Sequence, residues 1–208
     1  MTCESQGMSE FIKQETIHKE KWLSLEKYTY KDPNGQERVW EVVERTTKSK
    51  QKDIGDAVGI VAILKRALHH DCILLVRQYR PPIKGYCIEF PAGLIDKNET
   101  PSEAAIRELK EETGYSGIIE SVSPVVSLDP GLSASTIHLV NMRIDGDDSI
   151  NRKPVSNPDD GEFIEVFVVP VNELRLRLDK YASKGDLIDA RVYTYALLLD
   201  QQNHPTEL

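Results

Sequence analysis

The chain has 208 residues, of which 39% are hydrophobic and 29% charged, and its formal net charge is −8. A chain of this length can bury a substantial core, so we expect one main domain with an appendage. The acidic charge and the lack of a basic stripe exclude a protein that binds nucleic-acid backbones. No segment reaches the roughly 18 apolar residues of a membrane span or forms a signal segment, so we expect neither insertion nor secretion.

The cysteines favour a reducing compartment. Cys3, Cys72 and Cys87 are odd in number and scattered, and the last two lie in apolar surroundings. Such cysteines are typical of small buried hydrophobic side chains and not of a disulfide framework. We therefore expect a cytoplasmic protein, with nuclear entry left open because the basic residues at 48–52 form too weak a cluster to decide it.

The N-terminal part predicts a small β-region. Residues 1–18 are polar and are expected to form a mobile segment, followed by a dimerisation region at 19–50. Alternating segments at 22–31 and 36–45 flank a turn sequence at 32–35, which predicts a β-hairpin. A turn at 32–35 would pair Trp40 with Lys27, five residues along the ladder from Trp22. That spacing is about 17 Å, with the two rings on opposite faces, so one chain could not stack both on one base.

The remaining elements predict an α/β domain over residues 51–203, with a short tail at 204–208. Apolar runs at 57–64 and 72–78 predict buried strands, a charged helix follows, and further strands are expected near 118–126, 135–141 and 163–169. Helices are expected from about Asn172 and Asp189. Strands mixed with helices indicate a mixed sheet between helical layers. Residues 145–161 predict a long loop, and long loops that persist are often lids or binding loops.

The charged helix contains acidic side chains that could bind a cation. Glu108, Glu111 and Glu112 are spaced i, i+3 and i+4, so they share one face of a helix that Ser102 or a neighbour could begin and Gly114 could end. Two such charges about 4 Å apart repel by ~4 kcal/mol at an effective dielectric of ~20. A divalent cation would reverse that repulsion, and Mg²⁺ suits hard oxygen ligands, with Mn²⁺ as a substitute. The predicted apolar side comprises Ala104, Ala105, Ile106 and Leu109.

A short Glu- and Lys-rich segment alone is usually a solvated helix, but the spacing here extends further. Gly93, Glu99 and the run from Arg107 to Gly114 follow a pattern that resembles the Nudix box, and Tyr115 alone departs from it, where the family has an aliphatic residue. The resemblance implies a Nudix α/β/α sandwich that hydrolyses a nucleoside diphosphate linked to another group.

The resemblance also implies roles for individual residues. Glu108 and Glu112 would coordinate Mg²⁺, and Ala92 would lend its backbone carbonyl. Glu111 would be a further ligand or the base, and Arg107 would organise the glutamates.

Other segments resemble the ADP-ribose and ADP-sugar pyrophosphatase branch of that family. They are Pro130, which follows Tyr115 by fifteen residues, and residues 78–82, 86–96 and 189–193; the similarity runs from about Trp22 to about Leu198. It implies a homodimer with a shared active site, in which Trp22 of one subunit and Trp40 with Glu41 of the other hold the adenine.

The same resemblance assigns further residues. Arg45 and Arg80 would bind the diphosphate and ribose, although each could instead neutralise a nearby glutamate. Leu94 and Asp129 would contact the ribose end of the substrate. Glu162 would be the base or an additional metal ligand, with Glu111 as the competing base.

We therefore expect Mg²⁺-dependent hydrolysis of ADP-ribose and other ADP-sugars to AMP and a sugar phosphate. One alternative is a hydrolase of 8-oxo-guanine nucleoside diphosphates, which would use the same metal. A second is a catalytically silent Nudix module that binds ADP-ribose as a sensor, against which the complete set of box glutamates argues. A structural dimerisation protein is the third, and it would show no stabilisation by metal.

Overall fold

A computed structural model describes residues 7–47 and 53–203. Two compact units are present; among the described residues, one comprises residues 7–47, 53–56 and 125–137, and the other comprises residues 57–124 and 138–203. Cys3, the basic cluster at 48–52 and the tail at 204–208 lie outside the described residues. Among the described residues, no helix is long and apolar enough to cross a membrane.

The regular elements are numbered in chain order. The strands are β1 Glu10–Lys19, β2 Leu23–Lys31, β3 Glu37–Arg45, β4 Ala57–Lys65, β5 Cys72–Arg80, β6 Gly85–Glu89, β7 Ala92–Leu94, β8 Ile118–Val122, β9 Val126–Ser127, β10 Thr136–Asp145, β11 Glu165–Pro170 and β12 Leu187–Ile188. The helices are α1 Pro101–Thr113, α2 Leu174–Ala182 and α3 Ala190–Asn203, with 3-10 turns at Pro81–Ile83, Ser149–Asn151 and Val171–Glu173.

The first unit is an antiparallel sheet of three strands in the order β1-β2-β3. The sequence predicts only the β2–β3 hairpin and a mobile segment over residues 1–18, whereas the structure forms β1 from Glu10 onward. Every residue of β1 is exposed, so this strand has no apolar alternation to reveal it. Its order comes from backbone pairing with β2, which runs from Glu10↔Lys31 to Lys19↔Ser24.

The hairpin register differs from the predicted one by one residue. Its loop spans residues 32–36, because Asp32 N donates to Gln36 O at 2.8 Å and the Asp32 carboxylate accepts the Asn34 and Gln36 N–H groups. Trp40 therefore pairs with Tyr28 and not with Lys27. Trp22 precedes β2, so the five-residue spacing from which opposite faces were predicted is wrong. Their separation, about six residues or ~20 Å, still prevents one chain from stacking both on one base.

Residues 125–137 complete the first unit through the free edge of β3. Val43 N donates to Leu132 O at 3.0 Å, and Ala134 N donates to Val43 O at 3.1 Å. The buried carboxylate of Asp56 accepts the backbone N–H of Thr136 at 2.8 Å and its hydroxyl at 3.0 Å. Segments far apart in sequence are thus joined into one sheet-based unit.

The second unit is an α/β sandwich, as the sequence predicts. Its mixed sheet has the order β12-β6-β5-β4-β10-β8, with β12 parallel to β6 and β11 also paired with β5. Alternate residues of β4 and β5 face two separate cores. One core lies against α1 and includes Ile60 and Leu109, and the other lies against α2 and α3 and includes Ile73 and Leu178. The sheet therefore separates α1 from the other two helices.

Candidate active site

Local sequence signals fix both ends of α1. The helix begins at Pro101 after the N-cap Thr100, whose side chain accepts the Glu103 N–H while the Glu103 carboxylate accepts the Thr100 N–H. This capping box lies just before the predicted start at Ser102. Gly114 ends the helix, as predicted, in a left-handed conformation with φ 75°. A Cβ at Gly114 would overlap the backbone of Val155, so the long loop packs directly over this helix end.

Helix α1 has the apolar face and the acidic face that the sequence pattern predicts, except at Ile106. Ala104, Ala105 and Leu109 are fully buried, but Ile106 is 49% exposed and does not belong to the apolar side. On the acidic face, Glu112 is buried and accepts the Ala92 N–H at 3.0 Å. The Glu108 carboxylate occupies the space that a Cβ at Gly93 would need. The glycine thus lets the β7 backbone approach the glutamates closely.

Arg107 connects the acidic residues of the box. Its guanidinium donates to both carboxylate oxygens of Glu99 at 2.9 Å, to Glu108 at 2.7 Å and to Glu111 at 3.0 Å. It also donates to the carbonyl of Leu94 at 2.9 Å. These hydrogen bonds hold the pKa of the Glu99 carboxyl below its usual value and raise that of Arg107. The guanidinium thus joins Glu99, Glu108 and Glu111 through hydrogen bonds.

Glu112 and Glu108 lie in surroundings that disfavour the ionised form of their carboxyl groups. Burial, assisted by the charges of Glu108 and Glu162, raises the pKa of Glu112 to about 8. Burial also raises the pKa of Glu108, although Arg107 opposes the shift. A cation placed between these carboxylates would offset both the desolvation and the mutual repulsion.

Hard carboxylate oxygens beside the Ala92–Gly93 backbone fit a divalent ion such as Mg²⁺. Within the described ranges 7–47 and 53–203, no group of three or more His, Cys, Asp or Glu side chains is arranged to hold a metal ion. Mg²⁺ usually binds one or two carboxylates and keeps several waters for a substrate phosphate to displace, so an open set of this kind suits it.

Glu162 directly follows the long loop at 145–161. Asn151 is buried and anchors the loop: its side chain donates to Ser116 O at 2.9 Å and to Asp145 O at 2.8 Å, and accepts the Ser116 N–H. Further along, Asn157 N donates to Glu111 O at 2.7 Å. Glu162 follows in an exposed turn, and its charge raises the pKa of both Glu108 and Glu112. The loop therefore brings this acid within electrostatic reach of the α1 glutamates.

Arg80 pairs with a buried glutamate, as the alternative interpretation of this arginine predicts. Its Nε donates to Glu89 Oε1 at 2.8 Å and its Nη2 to Glu89 Oε2 at 2.7 Å. Glu89 is a buried acid at the end of β6. A charged residue between the apolar Ile88 and Phe90 was the available signal, because ionised side chains are rarely buried unless they are paired.

The remaining candidates belong to the first unit. Trp40 is 49% exposed, and its indole N–H donates to the Gly131 carbonyl at 3.0 Å. Asp129 begins this turn and accepts the Leu132 and Ser133 N–H groups through its own carbonyl. The structure thus brings Trp40 and the turn containing Asp129 together. Trp22 is 61% exposed, with the Lys21 ammonium 4.4 Å from its ring centre.

Glu41 and Arg45 are exposed on β3. In the second unit, Cys72 and Cys87 are free and buried, as predicted.

Comparisons with known proteins agree on the family. The model of the NUDIX domain matches residues 53–190. The mouse (Mus musculus) ADP-sugar pyrophosphatase is 47% identical over 203 residues, covering 97% of this chain and 92% of that protein. The yeast (Saccharomyces cerevisiae) ADP-ribose pyrophosphatase is 46% identical over 187 residues, covering 88% of this chain and 80% of that protein.

Among solved structures, one titled as a crystal structure of ADP compounds hydrolase has a TM-score of 0.66 and 21% identity, covering 96% of each chain. At that identity the likeness concerns the fold alone. The family model, the two relatives and the box geometry around α1 lead to one conclusion: the chain belongs to the Nudix family and is a Nudix hydrolase.

Proposed function

We propose that the protein hydrolyses the diphosphate of ADP-ribose and other ADP-sugars, with Mg²⁺, to AMP and a sugar phosphate. The observation that carries the proposal is the buried Glu112, held by the Ala92 N–H beside Glu108 and with its pKa raised to about 8. The names of the mouse and yeast relatives, which refer to ADP-sugar and ADP-ribose, support the substrate class.

The metal would be held by Glu108 and Glu112, with the Ala92 carbonyl and Glu162 as further ligands. When bound, the cation supplies charge neutralisation for the diphosphate and for the transition state. Arg107 would fix the positions of the glutamates through its ion pairs with Glu99, Glu108 and Glu111. Its cationic charge also limits their mutual repulsion before a cation arrives.

We assign the base to Glu162. Glu111 is the competing candidate, but its carboxylate accepts an Arg107 N–H at 3.0 Å, so one of its oxygens is already engaged. Glu162 is exposed on the loop and close enough to influence the pKa of Glu108 and Glu112. A loop carboxylate in this position can accept a proton from the attacking water once substrate is bound.

The substrate would be held by arginine and aromatic side chains. We propose that Arg45 and Arg80 bind the diphosphate and ribose as planar donors to phosphate oxygens. Leu94 and Asp129 would contact the ribose end. Trp22 of one subunit and Trp40 with Glu41 of the other would enclose the adenine, because the ~20 Å spacing prevents one chain from doing so.

This arrangement requires a homodimer with a shared active site. The exposed apolar side chains of the first unit support such an interface, since exposed apolar surface can mark interaction sites. They include Phe11, Ile12, Ile17, Trp22, Leu23, Val39 and Trp40. We place the protein in the cytoplasm, where its free cysteines would stay reduced.

The test is AMP release from ADP-ribose with Mg²⁺ and with EDTA, for the wild type, Glu112→Gln and Glu120→Gln. Glu120 lies on β8, where its carboxylate is exposed and pairs with Arg143, so the same chemical change there is the control. We expect Glu112→Gln to lower AMP release by at least about 100-fold, because outer-shell partners of a metal alone contribute 10–100-fold.

Three other outcomes would contradict the proposal. ADP-ribose that binds without AMP release would identify a sensor. Faster hydrolysis of 8-oxo-dGDP than of ADP-ribose would change the substrate class. A wild type that shows neither binding nor any stabilisation by Mg²⁺ would indicate a structural dimerisation protein.

A further inference from the structure

Glu89 is a buried acid to which no role has been assigned. Its side chain is 7% exposed, whereas that of its partner Arg80 is 43% exposed. Glu89 lies opposite Val76 on the β5–β6 ladder, so Arg80, at the end of β5, must reach back along the sheet to meet it. The face they share is the face of β5 that packs towards α1, because Leu74 and Cys72 on that face belong to the α1 core. The arginine is thus held at the side of the sheet that carries the box glutamates.

The pairing uses one specific edge of the guanidinium. Glu89 accepts hydrogen bonds from Nε and Nη2 of Arg80 at 2.8 and 2.7 Å. A guanidinium has five N–H donors in a plane, so this contact leaves both protons of Nη1 and one of Nη2 free. In the part of the chain that the structure describes, these donors have no protein acceptor. They form the end-on fork that can bind two phosphate oxygens at once.

A second ion pair lies within electrostatic reach of Glu89. Arg191, near the start of α3, donates to both carboxylate oxygens of Asp189 at 2.8 and 2.6 Å. Its pKa is raised first by Asp189 and also by the charge of Glu89, while Arg80 opposes the shift. Glu89 is therefore within electrostatic reach of two cations, which offset the cost of its burial. This second cation, Arg191, belongs to the segment at 189–193, to which the proposed function assigns no role.

We propose that Glu89 is a positioning residue that fixes the Arg80 guanidinium, with its free edge presented to the diphosphate of the substrate. A buried ion pair contributes little net stability compared with apolar residues of similar size, so its value here is the fixed orientation. The inference rests on the proposed function, because it assumes that Arg80 binds a diphosphate.

The test is steady-state kinetics of Glu89→Gln with ADP-ribose and Mg²⁺. Glutamine offers Arg80 one acceptor and one donor, so the two-bond contact is lost and the guanidinium is no longer fixed. We expect KM to rise about tenfold or more, since loss of one hydrogen bond to a charged group weakens binding by about that factor. We expect kcat to change by less than about threefold, because the lost contact is made in both the ground state and the transition state.

A chemically matched variant separates positioning from a loss of stability. Asp186 is 12% exposed and accepts two hydrogen bonds from Arg77, which lies on the same strand as Arg80 but on its opposite face. Asp186→Asn should lower the unfolding free energy about as much as Glu89→Gln and leave KM unchanged. An equal rise of KM in both variants would overturn the proposal.

A double-mutant cycle shows whether Glu89 acts through Arg80. We expect Arg80→Ala and Arg80→Ala/Glu89→Gln to have the same KM within about twofold, because Glu89 has nothing left to position. Calorimetric binding of α,β-methylene ADP-ribose in EDTA should show the same pattern without turnover or metal. Losses that add in the double variant would overturn the inference.

The inference and the proposed function fail in different ways. An active wild type with an unchanged KM in Glu89→Gln would refute the inference alone. A wild type that neither releases AMP nor binds the methylene analogue would refute the proposed function, and the inference with it.

Discussion

Replacing Glu112 with glutamine should stabilise the metal-free protein in alkaline solution. The wild-type carboxyl is buried, and its pKa is raised from 4.5 to about 8, chiefly by burial. The folded state therefore holds a proton that the unfolded state releases, so stability falls as the pH rises from the unfolded value through the folded one. Glutamine is neutral at every pH, and its side-chain oxygen can still accept the Ala92 N–H.

The size of the effect follows from the window between the two pKa values. From about pH 6 to about pH 8, the upper part of the window between 4.5 and about 8, the folded carboxyl largely keeps its proton while the unfolded one is ionised, and each pH unit costs about 1.36 kcal/mol. The wild type should thus lose about 3 kcal/mol of unfolding free energy relative to Glu112→Gln across this window. Above about pH 8 both states are ionised, and the difference should become constant.

The assay is urea unfolding of both proteins in EDTA at several pH values. The difference between them removes the contributions of other groups that titrate in the same range, since those groups are common to both. Glu120→Gln, at an exposed ion pair, should differ from the wild type by no more than about 1 kcal/mol at any pH. Adding Mg²⁺ should stabilise the wild type and leave Glu112→Gln unchanged. A difference in unfolding free energy that stays constant between about pH 6 and pH 9 would refute the reasoning.

Two further predictions follow from the site. The Mg²⁺ concentration that gives half-maximal AMP release should fall about tenfold for each pH unit between about pH 6 and pH 8 and then level off. The reason is that the cation must displace the Glu112 proton. A half-maximal concentration that does not change with pH would exclude Glu112 as a ligand. Gly114→Ala should lower the unfolding free energy by about 2–4 kcal/mol in urea, since φ is 75° and the added Cβ would overlap the Val155 backbone. Gly35→Ala is the control, because Gly35 has φ 79° but no atom within 4 Å of an added Cβ. Its unfolding free energy should therefore fall by only about 1 kcal/mol. An equal fall in unfolding free energy at both positions would show that the loop does not pack on this helix end.

The sequence by itself determined the parts of the site that depend on neighbours along the chain. The spacing of Glu108, Glu111 and Glu112 places them on one helical face, and the capping residue and Gly114 set the ends of that helix. These features follow from the 3.6-residue period and from backbone groups within one turn, so they can be derived without knowledge of the fold. The family pattern around the helix is local for the same reason.

Tertiary structure decided the features that depend on which segments meet. Strand β1 is polar and exposed throughout, so only its pairing with β2 makes it a strand. The hairpin register depends on how the Asp32 carboxylate closes the loop, and a shift of one residue reverses the face on which a side chain lies. The partnership of Glu89 with Arg80 and the burial of Glu112 against the Ala92 N–H arise from sheet pairing and packing. Such contacts between distant segments carry no periodic signal in the sequence, and they decide which of its charged residues become paired, buried and reactive.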